Sequence, residues 1–422
     1  MWKTNMQPIS PSSTNDRPHA KSAFARITVS RSKVALFATS LLVISACGDS
    51  EGSGTDQDSA VTDAPVVEET TTSVAGTVPE TPTSESEPTA SVAEASPETS
   101  TTIAGTTTTV EAPVDDPCPV EPNAMTQPAG RVVSFDPERL EQAEGIAVDA
   151  SGNVFASQIR LGQLLKFAPG SGDYEVFGSI PSWVDDGIGF LGLAIDQRGD
   201  IYGASASTST PGVWRFDCAT GEATLLAGTD SMIFANSIVI DASGTLYVTD
   251  SASGADGDTF LGAVWRVGPD GTVEKWLEDP MLGGNADGVP GVNGIAMRDG
   301  TIYLANSAKG LLLSLDVLDD GSPGEITQIA DGFFPDGIAV DIEGNLLVAD
   351  PITSAIQRIA PDGTIDEIAV GADAYLDNPS SVAFGVGETE LTLYVASLAH
   401  IAPLATGAGP GIAAIDVTLP GI

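Results

Sequence analysis

Six near-copies of one unit, two alternating apolar strands around a turn rich in Asp, Gly and Asn, start 43 to 57 residues apart between Glu144 and Ser380. A third short strand follows most copies, and a fourth follows several. A repeat of about 40–50 residues carrying four short strands is one blade, so the chain is predicted to be all-β, closed as a six-bladed β-propeller. A β-sandwich fits poorly, since nothing in a sandwich requires six equivalent units.

The chain opens with a different kind of segment. Residues 1–46 carry six bases and one acid, and the apolar run Val34–Ala46 follows the last base. Thirteen residues are too few for a membrane span, which needs about 20, but they suit a signal-peptide core. The run ends in Leu42-Val43-Ile44-Ser45-Ala46-Cys47-Gly48. This resembles the bacterial lipoprotein signal, in which the cysteine, here Cys47, is lipidated and becomes the new N-terminus. That resemblance implies an exported protein, anchored by lipid to the outer face of a bacterial cytoplasmic membrane.

Residues 47–116 are expected to be a tether. From Gly48 to Asp116 there is no Lys, Arg or aromatic residue, and 15 acids stand in a Thr/Ser/Pro/Ala/Val background. Such a composition buries too little apolar surface to offset its ordering entropy. As a flexible coil it spans on the order of 45 Å root-mean-square.

Residues 117–422 hold the repeats. The hairpins read Glu144-GIAVDASGNVFAS, Leu191-GLAIDQRGDIYGA, Asn236-SIVIDASGTLYVT, Asn293-GIAMRDGTIYLAN, Asp336-GIAVDIEGNLLVA and Ser380-SVAFGVGETELTLYVA. Alternation with Asp/Gly/Asn turns is the hairpin signature. Third strands read LLKFAPG, VWRFDCATG, VWRVGPDG, LLLSLDV and IQRIAPDG, and fourth strands include Thr272–Leu277 and Thr364–Val370. Blade six lacks a fourth strand after Gly411–Val417. Arg131–Asp136, ahead of the first hairpin, is expected to supply it and close the ring. The longest spacing separates blades three and four, where Asp279–Val292 is expected to form a loop over the mouth.

Composition limits the chemistry. The chain has 17 Lys+Arg against 58 Asp+Glu, a net charge of −41, and only two histidines. A phosphate-neutralising face needs clustered bases, which excludes nucleic acid as a partner. The acidic domain also repels anionic lipid, so membrane contact is expected only through the anchor. His19 falls in the leader, leaving His400 alone, so Ser-His-Asp triads and His-rich zinc sites lack raw material. Hard-oxygen groups must carry any chemistry.

In a propeller, equivalent residues lie at one height and radius, so the residue before each innermost strand faces the mouth of the channel. Around the ring these are Glu144, Leu191, Asn236, Asn293, Asp336 and Ser380. Two carboxylates and two amides from four blades suit Ca²⁺ or another divalent cation. Ordinary turn pairs are the alternative, since Asn-Gly and Asp-Gly recur elsewhere in the chain. Asp149, Asp196, Asp241 and Asp341, five residues on, are expected to be structural turn residues at the opposite end. Arg160, Asp250, Asn306 and Lys309, at the far ends of the second strands, return to the mouth and are candidate substrate contacts. Solvated loop residues are the alternative for Arg160 and Lys309. Cys118 and Cys218 are expected to form a disulfide, two separate thiols being the alternative.

From Arg131 to Val417 the chain resembles the senescence marker protein (regucalcin)/gluconolactonase superfamily of six-bladed propellers. The resemblance rests on Glu144-Gly145, Asn236, Val292-Asn293-Gly294 and Pro335-Asp336-Gly337. It implies calcium-dependent hydrolysis of lactones or related esters. It also implies Glu144, Asn293 and Asp336 as core ligands, Asn236 as a further ligand or the holder of a metal-bound water, and Asp336 as general base. Regucalcin-like members carry an Arg two residues before the blade-three Asn and an Asp just after it; here Phe234 and Ser237 stand there. The rival class is a non-catalytic, calcium-stabilised propeller that binds a wall glycan or a protein partner.

Overall fold

The computed structural model describes residues 117–121, 126–186, 189–256, 259–401 and 404–422. The leader, Cys47 and the tether lie outside these residues. The described strands form six four-stranded sheets.

After β1 (Gly130–Ser134), blade one holds β2 (Ala143–Val148), β3 (Val154–Gln158), β4 (Gln163–Phe167) and β5 (Tyr174–Ser179). Blade two holds β6 (Phe190–Ile195), β7 (Ile201–Ser205), β8 (Gly212–Phe216) and β9 (Ala223–Leu225). Blade three holds β10 (Ala235–Ile240), β11 (Leu246–Asp256), β12 (Thr259–Val267) and β13 (Val273–Asp279). Blade four holds β14 (Val292–Arg298), β15 (Thr301–Asn306), β16 (Leu311–Asp316) and β17 (Thr327–Asp331). Blade five holds β18 (Ile338–Val340), β19 (Leu346–Asp350), β20 (Ala355–Ile359) and β21 (Ile365–Val370). Blade six holds β22 (Pro379–Phe384), β23 (Thr392–Ser397) and β24 (Gly411–Asp416), and β1 is its fourth strand.

That closure pairs Gly130 with Ala414 and Ser134 with Gly411, antiparallel. The innermost strands complete the circle, each packed beside the next from β2 through β6, β10, β14, β18 and β22 back to β2. The inner strands are buried at nearly every position, as in β3, β19 and β23, because both faces of a blade meet neighbours. One core cluster fills each interface: Phe135, Phe167 and Tyr394 between blades six and one, for example, and Leu304, Leu313 and Tyr247 between three and four. Leu164, Leu304, Leu312 and Leu313 are fully buried, each contributing about 1.5–3 kcal/mol relative to exposure.

The β2–β3, β6–β7, β10–β11 and β18–β19 turns are built alike. Asp149 Oδ1 accepts from the backbone N–H of Ser151 (2.9 Å) and Asn153 (2.8 Å). Asp196, Asp241 and Asp341 repeat the pattern with residues two and four further on. These aspartates are structural, as the sequence indicates. We call this end the turn face, and the end where the innermost strands begin the mouth face. Cys118 and Cys218 form a disulfide on the turn face, Cα–Cα 6.1 Å. Cys118 N–H bonds Arg198 O (2.9 Å) and Glu121 N–H bonds Ser151 Oγ (2.9 Å), so residues 118–121 lie across the turns of blades one and two.

The extra length between blades three and four is divided. Part of it is the loop after β13, which opens with a 3-10 turn, Pro280–Leu282. The rest prolongs the β11–β12 hairpin beyond Asp250 on the mouth face: β11 and β12 have 11 and 9 residues, where their counterparts have five or six.

Candidate metal centre

A β-bulge aims five of the six ring residues. In β2 the register with β3 jumps between Ala143 and Ile146, leaving Glu144-Gly145 outside the ladder. The same break spans Leu191-Gly192, Asn236-Ser237, Asn293-Gly294 and Ser380. In blade five, Asp336-Gly337 lies before the first paired residue, Ile338. A bulge turns a side chain out of the normal alternation, here toward the axis. Backbone groups freed by the bulge find other partners: Gly145 N–H bonds Ser157 Oγ (2.7 Å), and Ser237 N–H bonds Thr249 Oγ1 (2.9 Å).

The glycine after the ring residue has a packing reason. A Cβ on Gly145 would stand 2.4 Å from Leu191 O, and one on Gly192 2.7 Å from Asn236 O. On Gly294 it would stand 2.3 Å from Asp336 O, and on Gly337 2.6 Å from Ser380 O. None of these glycines has positive φ. They are small so that adjacent innermost strands can touch, which separates these Asn-Gly and Asp-Gly pairs from ordinary turns.

Glu144, Asn236, Asn293 and Asp336 are all buried. Glu144 Oε2 and Asp336 Oδ1 are buried without a hydrogen-bond partner among the described residues. Burial holds the Glu144 carboxyl well above the ordinary carboxylate range, and the Asp336 charge raises it further. Burial also pushes Asp336 up to about 8; a hydrogen bond from the Asn293 side chain opposes the rise and the Asp350 charge adds to it. Two desolvated carboxylates that repel each other form an expensive pair unless protons or a cation neutralise them. The amides complete an all-oxygen set. Among the described residues no three His, Cys, Asp or Glu side chains gather to hold a metal. The set fits a hard divalent cation with two carboxylates, amide oxygens and water, and it offers no soft or nitrogen ligand.

Of the candidate substrate contacts, Asp250 is fully buried. Its carboxylate accepts from Ile233 N–H (3.1 Å), Phe234 N–H (2.9 Å) and Trp265 Nε1 (3.1 Å). Asp350 is its counterpart in blade five, accepting from Phe334, Ile352 and Thr353 N–H. In blade one, Gln158 Oε1 accepts from Gln142 N–H (2.8 Å). Gln142, Phe234 and Phe334 each stand two residues before a ring residue. The side chains ending these second strands therefore pin the approach to the ring. Asn306 likewise bonds Met281 O (2.9 Å) and receives Lys309 N–H (2.9 Å). Lys309 Nζ bonds Gly283 O, and burial lowers its pKa, opposed by Asp279. Arg160 is paired with Asp185 through Nε (2.9 Å) and a second guanidinium nitrogen. The sequence brings these four residues to the mouth face, but their polar atoms are engaged with the loops around it.

Residues 181–399, just over half the chain, match the profile described as the SMP-30/Gluconolactonase/LRE-like region. Among solved structures the fold is similar to a calcium-binding protein, regucalcin, from Agrobacterium tumefaciens str. C58, at 21% identity and TM-score 0.54, over 71% of this chain and 97% of that one. A putative gluconolactonase is similar at 16% identity and TM-score 0.52, covering 71% and 95%. A luciferin-regenerating enzyme is similar at 18% identity and TM-score 0.51, covering 69% and 98%. A comparison with curated proteins finds no match. The chain belongs to the SMP-30/gluconolactonase/LRE-like family.

Proposed function

We propose that the protein is a calcium-dependent, gluconolactonase-like hydrolase of lactones or related esters, working outside the cytoplasm from a lipid on Cys47. The observation that carries the reading is the buried pair Glu144 and Asp336, each with a partnerless oxygen, flanked by the Asn236 and Asn293 amides. Glu144, Asn293 and Asp336 would hold the cation, with Asn236 as a further ligand or the holder of a water. When bound, Ca²⁺ or another divalent ion polarises the substrate carbonyl and stabilises the developing oxyanion. Asp336 accepts the proton of the attacking water at a carboxylate oxygen. Glu144 supplies the second negative charge that balances the ion. Leu191 adds no ligand and keeps the blade-two side of the ring apolar.

Phe234 and Ser237 favour no sugar-specific contact: Phe234 packs with Leu191 and Ala206, and Ser237 is bonded to Thr249. The substrate class is therefore activated esters and lactones broadly, which suit a mild Lewis acid better than amides do. The disulfide agrees with an oxidising compartment, and the Leu42–Gly48 signal supports the anchor.

Asp336→Asn should lower turnover of a lactone and aryl-ester panel by about 100-fold or more while the folded state persists. If the wild-type protein binds calcium yet turns over no member of the panel, the hydrolase reading fails in favour of a calcium-stabilised binding module.

A further inference from the structure

The two amides of the ring are not held alone. Asn236 Nδ2 donates to Ser251 Oγ (3.0 Å), and Ser251 Oγ donates its one proton to Val292 O (2.5 Å). One blade on, Asn293 Nδ2 donates to Ser307 Oγ (3.2 Å), and Ser307 Oγ donates to Pro335 O (2.7 Å). All four residues are buried. Each serine hydroxyl has its proton committed to a carbonyl, so toward the amide it can only accept. That fixes which end of the carboxamide faces the serine: the nitrogen does, and the carbonyl oxygen is turned the other way. A carboxamide's two ends are nearly the same shape, but only the oxygen can ligate a cation.

The internal repeat shows that this pairing goes with the amide. Register places Ser251 and Ser307 just after the residues opposite Ala235 and Val292. In the other blades the same position is Ile159, Ala206, Pro351 and Leu398. Those blades carry Glu144, Leu191, Asp336 and Ser380 in the ring, and none of these needs an end chosen for it. Serine stands where asparagine stands, and nowhere else among the six. The acceptors also matter: Val292 directly precedes Asn293, and Pro335 directly precedes Asp336. The bonds thus run from Asn236 through Ser251 to the Asn293 strand, and through Ser307 to the Asp336 approach.

We propose that Ser251 and Ser307 are positioning residues that set the polarity of the Asn236 and Asn293 carboxamides, so that both present oxygen to a bound divalent cation. The assignment rests on the metal-centre reading above. Without the hydroxyl, the Asn236 amide is free to turn and offer its NH₂ group to the ion, which repels it, and the Asn293 amide keeps only its bond to Asp336, for which a bound ion competes.

The test is calorimetric titration of the full-length protein with Ca²⁺, alongside cation-free melting. Ser251→Ala and Ser307→Ala should each weaken binding by about 10-fold or more, the usual range for partners that orient ligands, with Ser→Thr within about threefold of wild type. The decisive arm is a double-mutant cycle. A carboxylate has no wrong end, so in an Asn293→Asp background Ser307→Ala should cost less than about threefold. Asn236→Asp with Ser251→Ala repeats the cycle independently and serves if the Ser307 variant does not fold. An undiminished loss in the Asp background overturns the assignment, because the serine then acts through packing. Alanine variants that bind as tightly as wild type overturn it while leaving the metal centre standing. Wild-type protein that takes up no Ca²⁺ removes the metal centre and the assignment together.

Discussion

The disulfide gives the prediction with the most direct magnitude. Cys118 and Cys218 are 100 residues apart, and closing a loop of that length in the unfolded chain is worth about 4.7 kcal/mol in the chain-entropy model. Unfolding entropy near 2.1 cal/mol/K per residue, over roughly 300 residues, is about 0.6 kcal/mol/K. Replacing both cysteines by alanine should therefore lower Tm by about 8 °C. The bridge lies on the turn face, away from the ring, so calcium affinity should not change. Scanning calorimetry of the double variant against the parent, followed by calcium titration of both, reads the two quantities. A Tm within a degree or two of the parent would refute the entropic argument. An equal Tm drop accompanied by lost calcium affinity would refute the separation of the bridge from the ring.

Three further outcomes follow from the ring. Deleting the chain through Ser134 in a Cys218→Ala background removes β1 and leaves β24 an open edge, so the product should aggregate on size exclusion; a monomer with the Tm of the variant lacking both cysteines would contradict closure by β1. Gly294→Ala puts a Cβ 2.3 Å from Asp336 O, and should cost about 1–3 kcal/mol and weaken calcium binding by moving blade five. Equal melting and affinity would show that the innermost strands can part freely. His400 is partly exposed as a residue but its ring nitrogens are buried, and burial lowers its pKa to about 4, opposed by Asp377. The fold therefore prefers neutral His400; its contribution is present above the unfolded value near 6.5 and is lost as pH falls toward 4, by at most about 3 kcal/mol. His400→Gln should flatten the stability profile over that window relative to wild type, and parallel profiles would refute this.

Much of the architecture could be read from residue order. Six hairpins were legible because alternation and Asp/Gly turns act over a few neighbours, and closure by Arg131–Asp136 followed from counting strands. Glu144, Asn236, Asn293 and Asp336 were legible as a group because repeat register puts equivalent residues at equal radius. The reasons behind the pattern were not. Gly294 looks like a turn glycine until Asp336 O, 42 positions away, is found against it. Asp250 and Asn306 look free at strand ends, yet they bond backbone 16 to 25 positions earlier, at a distance no local pattern encodes. The bulges that aim the ring leave no residue-type signal of their own. Ser251 and Ser307 were visible only as ordinary polar residues, although aligning the six copies on the ring sets serine beside asparagine.

The attachment of residues 118–121 has a mechanical side as well. β1, the strand that closes the ring, lies only a dozen residues after Cys118, and a pull transmitted along the backbone from the N-terminal side would otherwise reach it directly. An antiparallel edge strand pulled from its end opens one hydrogen bond at a time, like a zipper. The bridge diverts that tension at Cys118 into Cys218, in the turn following β8, before it reaches β1. Covalent bonds and the whole of blade two then carry the load, and the seam of the propeller is shielded from it.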